Sequence, residues 1–382
     1  MHSSYRVLLA AMSLDLGGAE THVVTLAKEL LRDGHRVVVA SGGGRLVHEL
    51  TAAGIPHEIV SLNSRNPFKV LRSVHAIHQL CRTNQIQLMH AHARIPAWVC
   101  NMVSRKARIP VVVTYHGVYA SGFPWNLVTV PGDRTIAVSE DVKEHLVTKF
   151  GFKPASVIII PNGIDTEQFK PSKRPDILAQ QLGILNEASV VVHVSRLHGN
   201  MASVALNLIR AMPRLSASLN RPVQLLIVGD GDQLSRVKQA ALDMNERLRY
   251  NAVIATGGRL DTSALLLLGD VFVGVARAAM EAMACAKPVV IAGEGGFGGI
   301  LTEEKMREVA LANFTARREG APVTPENLAA AIEQIITGDK AEQLGAAGLR
   351  FVRENLEVRE VAQQVIQVYS ALLESHDGGE RK

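Results

Sequence analysis

One carboxylate, Glu281, stands in a stretch of small and apolar residues, VGVARAAMEAMACAKPVVIAG, that runs from Val273 to Gly293. Arg277 lies four residues earlier, so on a helix the two side chains share a face and could form an ordinary ion pair worth about 0.3–0.5 kcal/mol. The predicted helix is apolar almost all round, which indicates burial. Because buried carboxylates are rare without a partner or a task, Glu281 is a candidate for a functional role, with the ion pair as the alternative.

Cationic and histidine side chains follow other strand-like runs. Arg196 comes after VVHVS and could be a fixed cation for a phosphate, or it could form a surface salt bridge. His90 and His92 in HAH point the same way on a strand and could begin a metal site, but no carboxylate-rich motif accompanies them, which favours packing or ligand contact. His116 in TYHG could be structural, as a lone histidine at a strand end often is, but a functional role is favoured because its strand end faces the predicted crevice.

Glycines also mark strand ends. Gly17 and Gly18 lie between the first strand and a helix, where they could let a phosphate approach the helix N-terminus or could form a tight turn. GEGGFG, which contains Gly295 and Gly296, matches G-x-G-x-x-G, but a polar, helical or irregular stretch follows where a dinucleotide site needs a second strand and an acid. These glycines are therefore interpreted as a loop that approaches a ligand.

The motif DGD at residues 230–232 could be a carboxylate pair for a divalent metal or a turn after a strand. The motif is short and follows QLLIVG directly. A turn is favoured, so no metal site is predicted there.

The bulk properties limit the class of protein. The length of 382 residues suits two domains, and the three scattered cysteines predict a reducing, cytosolic compartment. No run reaches the ~20 apolar residues of a membrane span. The formal net charge of +5 favours anionic ligands such as nucleotides or phospholipid surfaces. No basic run is interleaved with aromatic residues, which argues against a nucleic-acid partner.

Strand-length apolar runs alternate with helical patterns from end to end, in two series. This pattern predicts an α/β protein with two doubly wound parallel sheets, and TEQFKPSKRPDI between the series reads as the hinge. Ligands of such sheets bind beyond the carboxyl ends of the strands, where the residues above lie.

Several motifs occur in an order that resembles a known family: GGAETHVVTLAKEL, TYHG, IAVSEDVKEHL, VIIIPNGIDTEQFKP, VSRL, LLIVGDGD and MEAMACAKPVV. Together they resemble the retaining glycosyltransferases of family four. The resemblance implies the GT-B fold, with two Rossmann-like domains that face a cleft. It divides the chain into an acceptor domain at 1–168 and a donor domain at 169–357, with a C-terminal helix at about 358–382 that packs back on the first domain.

The resemblance also implies roles for single residues. The donor would be a nucleotide sugar, most often uridine-linked, and neither a metal nor another cofactor would be required. The acceptor hydroxyl would attack from the face that the leaving group vacates, and a phosphate oxygen would take its proton. The implied contacts are Glu281 with the ribose, Arg196 with the diphosphate, Gly17 and Gly18 with the phosphate, His116 with the sugar and acceptor, and Gly258 and Arg259 with the base through their backbone.

Two positions depart from the family pattern. Val273 stands where the family has a glutamate that holds the donor sugar, and Met201 stands where it has a lysine that is a second diphosphate cation. The substitutes that we expect are His198, Asn200 or Arg277 for the cation, and the backbone of Gly295 and Gly296 for the sugar contacts.

The predicted function is a cytoplasmic, retaining, metal-independent glycosyltransferase that acts on a cell-envelope glycan or a lipid-linked acceptor. The alternatives are a degenerate GT-B protein that binds nucleotide sugar without efficient catalysis, and a sugar-nucleotide 2-epimerase. FKVLRSVHAIHQLCR could touch anionic lipid at the inner face of the membrane, although a solvated helix with an apolar stripe is the favoured interpretation.

Overall fold

A computed structural model describes residues 4–317 and 320–379, which form two compact units. Unit 1 is built from the residues up to 163 together with those from 358 onward, and unit 2 is built from residues 164–357. The strands are β1 Arg6–Ala10, β2 Arg36–Ser41, β3 His57–Ile59, β4 Leu88–His92, β5 Val111–Tyr115, β6 Arg134–Ala137, β7 Val157–Ile159, β8 Ser189–Val194, β9 Val223–Val228, β10 Val253–Gly257, β11 Val271–Gly274, β12 Val289–Gly293 and β13 Gly296–Ile300.

The helices connect these strands and cover both sheets. They are α1 Gly18–Arg32, α2 Val47–Ala52, α3 Pro67–Thr83, α4 Arg94–Ala107, α5 Trp125–Val128, α6 Glu140–Phe150, α7 Asp176–Leu182, α8 Ser203–Ser218, α9 Leu234–Leu248, α10 Thr262–Leu267, α11 Ala276–Ala284, α12 Glu303–Ala310, α13 Pro325–Thr337, α14 Ala341–Asn355 and α15 Val358–Gly379, with short 3-10 turns at Pro154–Ser156 and Gly199–Ala202.

The sheet of unit 1 has the order β3-β2-β1-β4-β5-β6-β7 and is parallel throughout. Its central strands read as continuous apolar runs, such as VVVTY in β5, because helices cover both faces. One core layer lies under α3 and α4, and the other lies under α1 and α15. The two-series α/β prediction is confirmed.

Unit 2 has the strand order β10-β9-β8-β11-β12-β13, and its last strand is antiparallel to β12. The expectation of a ligand-binding loop at GEGGFGG was wrong about the local structure, because Gly296–Ile300 is this last strand. A Cβ on Gly295 would lie 2.9 Å from the backbone nitrogen of Arg317, and one on Gly296 would lie 2.9 Å from the carbonyl of Ala321. The glycines thus admit a neighbouring protein segment.

The helix α15 belongs to unit 1, on which it packs beside α1. Val361, Val365 and Tyr369 are buried in that core, and the Tyr5 hydroxyl lies 2.8 Å from Ser370 Oγ. The division between the units falls at 163/164 rather than at 168/169. Ile164 is the physical reason, because its side chain is buried in the core of unit 2 and its N–H donates to the carbonyl of Leu356 at 2.7 Å.

Ala276 begins α11 with a φ of +54°, in the left-handed region that L side chains rarely adopt. We expect Ala276→Gly to raise the free energy of unfolding by up to ~1 kcal/mol, since the relief of strain exceeds the extra chain entropy of glycine. Ala279→Gly, in the buried interior of the same helix, should instead lower it by about 1 kcal/mol. Calorimetric unfolding of both variants tests this, and equal destabilisation would contradict it.

Candidate functional site

The carboxyl ends of three strands of unit 1 bring polar side chains together. His92 ends β4, His116 follows β5, and Asn162 follows β7. His116 Nδ1 lies 3.0 Å from Asn162 Oδ1, and His116 Nε2 lies 3.1 Å from His92 Nδ1. The His92 and His116 rings are stacked with centroids 5.3 Å apart, and His22 from α1 packs edge-on against both. The sequence singled out His116 but gave no sign of its partners.

This network fixes the protonation of the rings. The amide oxygen of Asn162 accepts a hydrogen bond, so His116 carries its proton on Nδ1 and its Nε2 accepts from His92 Nδ1–H. Both ring nitrogens of His116 are therefore engaged within unit 1. A hydrogen bond from His116 to a substrate, as the sequence predicts, would have to replace one of the two.

His90 is fixed from both sides of its ring. Its Nδ1 lies 2.6 Å from the Tyr369 hydroxyl on α15, and its Nε2 lies 2.7 Å from Thr114 Oγ1 on β5. All three side chains are buried. The expectation of packing for the HAH motif is confirmed for His90, whose ring links the sheet to the last helix.

Burial keeps His90 and His92 neutral. It lowers the pKa of His90 to about 3, with a smaller contribution from His116, and it holds the pKa of His92 well below its usual value. The neighbouring rings of His90, His116 and His22 add to the effect on His92. Among the described residues, no group of three or more His, Cys, Asp or Glu side chains is arranged to hold a metal ion.

The space beside the glycine pair at the start of α1 is occupied by a side chain of the protein itself. Gly18 is the first residue of the helix, and Gly17 has extended backbone. A Cβ on Gly17 would lie 2.2 Å from Glu20 Oε2, so this carboxylate folds back over the helix N-terminus. A phosphate at that place would require the Glu20 side chain to move.

Arg94 is a buried cation that sequence reasoning missed. It begins α4 two residues after His92, and its Cζ lies 4.6 Å from the ring centroid of Tyr119 and 5.1 Å from that of Trp125. Its Nη2 donates to the carbonyl of Ala120 at 2.7 Å, and no carboxylate of the described chain pairs with it. A cation directly after the HAH strand was the available signal. Arg94 ties the strand ends to the loop that follows His116.

Arg196 follows β8 in unit 2 and is exposed. It forms no hydrogen bond or ion pair with any residue that the structure describes, so the surface salt bridge is not made there. Its backbone is nevertheless held on both sides, since Ser195 N donates to Val228 O at 3.1 Å and Leu197 N donates to Asp230 O at 2.9 Å. In the sheet, β8 lies between β9 and β11, so Arg196 stands beside the strand end from which α11 starts.

Glu281 does pair with Arg277, but in a buried setting. Arg277 Nε lies 2.8 Å from Glu281 Oε1, and both side chains are at most 10% exposed. Burial raises the pKa of Glu281, and Arg277 opposes that rise. The second carboxylate oxygen receives no hydrogen bond from the described residues and could accept one from a ligand hydroxyl.

The remaining predicted donor residues follow β10 and β8, which lie on either side of β9 in the sheet. Gly258 and Arg259 follow β10, and the Arg259 side chain is turned to Asp261, with Nε 2.7 Å from Oδ1. His198 precedes a 3-10 turn, and its Nδ1 accepts from Asp232 N at 3.3 Å. Asn200 is exposed in that turn. His198 and Asn200 thus share one loop with Arg196.

The DGD motif is a turn, as expected. Gly231 N donates to Asp230 Oδ1, and Gly231 has a φ of +154° with no room for a Cβ beside Leu197 O. Both family departures lie in defined elements, Met201 in the 3-10 turn Gly199–Ala202 and Val273 in β11. Val273 is fully buried in β11, and its carbonyl accepts a hydrogen bond from the buried His193 at 2.8 Å.

A cavity of about 410 Å³ lies at the opposite edge of the unit 1 sheet, where β1 and β2 begin. Arg6 and Arg36, which are neighbours across these strands, line it without any carboxylate. Ligands of open parallel sheets bind at the carboxyl ends of strands, so this cavity is not the candidate site.

The two α/β units with parallel sheets have the GT-B fold. The chain is similar to solved structures of that fold, among them HepE from Anabaena in complex with UDP and glucose, at 24% identity over 96% of this chain and 100% of that chain, with a TM-score of 0.75. The family model Glycosyltransferase Family 4 matches residues 16–168, and the model Glycosyl transferases group 1 matches residues 188–338. The chain therefore belongs to the family 4 glycosyltransferases.

Curated relatives are distant. The GPI3 subunit of the phosphatidylinositol N-acetylglucosaminyltransferase of Saccharomyces cerevisiae is 24% identical, over 59% of this chain and 52% of that protein. The UDP-Gal:alpha-D-GlcNAc-diphosphoundecaprenol alpha-1,3-galactosyltransferase of Escherichia coli is 24% identical, over 62% of this chain and 65% of that protein. The chain thus spans between about half and two thirds of the length of these relatives.

Because His90 is buried and neutral, we expect unit 1 to lose stability at acidic pH. In the unfolded chain the pKa of His90 returns to about 6.5, so below that pH the unfolded state binds a proton that the folded state does not. The stabilising contribution is complete above pH 7 and is lost as the pH falls, by up to about 1.4 kcal/mol per pH unit for each such histidine. Urea unfolding followed by tryptophan fluorescence reports on unit 1, where both tryptophans lie.

The matched variants are His90→Gln and His75→Gln, the second on the exposed face of α3. Between pH 7.5 and 5, the stability of His90→Gln should fall less steeply with decreasing pH than that of the parent, whereas His75→Gln should retain the parental slope. Parallel slopes for all three proteins would contradict the assignment.

Proposed function

We propose that the protein is a retaining, metal-independent glycosyltransferase of the cytoplasm. It moves a sugar from a nucleotide sugar, a UDP-sugar, to a cell-envelope glycan or lipid-linked acceptor. Membership of the family supports the transferase reaction. A structural neighbour that holds UDP and glucose supports the donor class, and relatives named for lipid acceptors support the acceptor class.

The observation that carries the proposal is Arg196. An exposed arginine without a partner among the described residues, on a backbone held from both sides, is a cation positioned before any ligand arrives. It stands beside the start of α11, whose helix dipole has the same sign. Together they would stabilise the negative charge of a diphosphate.

The proposed reaction uses this cation at its leaving group. The bond between the anomeric carbon and the diphosphate oxygen breaks, and its electrons remain on the leaving diphosphate beside Arg196. The acceptor hydroxyl bonds to the anomeric carbon from the same face and gives its proton to a diphosphate oxygen. Glu281 would hold the ribose through its second oxygen while Arg277 fixes the carboxylate by its first. No step needs a metal ion.

A second candidate rests on two residues of this chain. Val273 and Met201 bring no charge to positions where the family has a glutamate and a lysine. A chain that binds nucleotide sugar and transfers it poorly would fit these substitutions. Binding without release of diphosphate separates this candidate from the transferase, and an epimerised nucleotide product would indicate a 2-epimerase.

A panel of nucleotide sugars in the presence of EDTA tests the proposal, with thermal shift for binding and diphosphate release for turnover. We expect one UDP-sugar to stabilise the protein and to release UDP in the presence of envelope acceptors. Arg196→Ala should lower the release rate by roughly 10²–10³-fold, the usual effect of losing a transition-state charge partner. Arg247→Ala, on an exposed position of α9, should have no effect.

Loss of release on addition of EDTA would contradict the metal-independent reaction. Equal rates for Arg196→Ala and Arg247→Ala would remove Arg196 from the site. Absence of binding to every donor would contradict the proposed function as a whole.

His92 is proposed to position His116. His92→Phe removes the hydrogen bond to His116 Nε2 and keeps a packed ring, so we expect kcat to fall by roughly tenfold with little change in the KM for the donor. In a His116→Ala background, the same change should have no further effect on kcat, because the two residues act as a unit. Additive losses would show that His92 affects kcat independently of His116 and would contradict the positioning role.

A further inference from the structure

The charge of the chain is concentrated in one segment. Residues 59–132 contain eight Lys and Arg residues and no Asp or Glu. The rest of the chain holds the other 33 basic residues against all 36 acidic ones, so the segment carries more than the whole net charge of +5. Seven of the eight basic side chains are exposed, and the eighth is Arg94.

The same segment exposes large apolar side chains. Phe68 and Leu71 on the outer face of α3 are 79% and 65% exposed, and Phe123 and Leu127, on either side of Trp125, are 87% and 64% exposed. Arg65, Lys69 and Arg72 lie in the chain around the first pair and are exposed as well. Burial of these four apolar side chains against an apolar phase would be favourable.

The two apolar pairs lie on one surface. The guanidinium of Arg65, which immediately precedes α3, stacks on the Trp125 ring with Cζ 4.5 Å from the centroid. Arg94 lies over the same ring at 5.1 Å, and its Nη2 holds the carbonyl of Ala120. Trp125 thus joins the start of α3 to the loop that carries Phe123.

We propose that this surface of unit 1, formed by Phe68, Leu71, Phe123 and Leu127 with Arg65, Lys69 and Arg72, docks on an anionic lipid membrane. The apolar side chains enter the interface, and the basic ones contact the lipid phosphates. The exposed basic side chains, in a segment that contains no Asp or Glu, give the charge complementarity that anionic lipid requires. The attachment that we propose is interfacial. Among the described residues, no helix is long and apolar enough to cross a membrane.

The combination of exposed basic and exposed apolar side chains on this surface favours lipid over other partners. Nucleic acid would satisfy the basic side chains, but its phosphate backbone would leave Phe123 and Phe68 without an apolar environment. A second copy of this chain would bring the same positive surface, and like charges would face each other. Lipid satisfies both kinds of side chain at once.

The surface is connected to the candidate site. The loop that carries Phe123 begins directly after His116, and Arg94, two residues after His92, holds that loop at Ala120. A lipid-linked acceptor that remains in the membrane would therefore present its head group to the strand ends of unit 1. This connection rests on the proposed function, whereas the docking itself does not.

Flotation with vesicles of phosphatidylcholine that contain from none to roughly 40% of the anionic lipid phosphatidylglycerol tests the proposal on the full chain, without donor or acceptor. Binding should rise with the anionic fraction and fall with salt. Phe68→Ser with Leu71→Ser, and separately Phe123→Ser with Leu127→Ser, should each weaken partition by ~10-fold or more. Lys69→Glu with Arg72→Glu should weaken it by a similar factor.

The matched controls lie in unit 2. Ile177→Ser with Leu242→Ser removes apolar side chains that are 75% and 63% exposed, and Lys238→Glu with Arg247→Glu reverses charges on exposed positions of α9. Neither should change partition. Unfolding midpoints of all variants, measured by tryptophan fluorescence, check that unit 1 remains folded.

Several outcomes would overturn the proposal. One is the absence of vesicle binding at every anionic fraction, and a second is an equal loss of vesicle binding in the test and control variants. A third is binding of duplex DNA that the charge variants abolish and the serine variants do not. Self-association that the serine variants reverse, without vesicle binding, would assign the surface to a second copy. Vesicle binding by a chain that releases no diphosphate would leave the surface standing and would contradict only the proposed function.

Discussion

The parallel pairing of the strands is the constraint on which the candidate site depends. Because every strand of the unit 1 sheet runs in the same direction, residues that end β4, β5 and β7 meet at one edge although they are 24 and 46 residues apart in the chain. The same rule places Arg196 and the start of α11 just beyond the ends of two neighbouring strands of unit 2, β8 and β11. Each of these side chains alone is weak evidence for a site, and only the shared strand direction brings them together. The helices that cover both faces of each sheet keep the strands in register.

The fold could be predicted because its signal is local. Runs such as VVVTY are long, β-branched and apolar on both faces, which is typical of a buried parallel strand. The strand at Gly296–Ile300 could not be predicted in this way, because GFGGI carries no such pattern and owes its pairing to β12. Side chains at Gly295 and Gly296 would collide with the backbone of Arg317 and Ala321, about twenty residues further along the chain. Tertiary contact decided that element.

The candidate site was only partly predictable for a similar reason. Arg196 and His116 stood out because each is polar at the end of an apolar run, and Glu281 stood out as a carboxylate inside an apolar stretch. Their partners were not visible: His92 was considered as a metal ligand, and Asn162 was one letter in a turn motif. The pairing of Arg277 with Glu281 was weighed from its four-residue spacing alone, but its burial depends on packing. The absence of acids from residues 59–132 can be counted in the sequence, whereas the surface that it forms appears only once Arg65 is seen to stack on Trp125.

The contribution of α15 to unit 1 has a consequence for how the protein is made. A ribosome synthesises residues 164–357, and thus all of unit 2, before it reaches Tyr369, which completes the core of unit 1 and binds His90. Unit 2 can therefore reach its final state while unit 1, although begun first, still exposes the apolar side chains that α15 will cover. The incomplete unit 1 must stay soluble during that interval. This is the stage of synthesis at which chaperone binding to its exposed apolar side chains matters most.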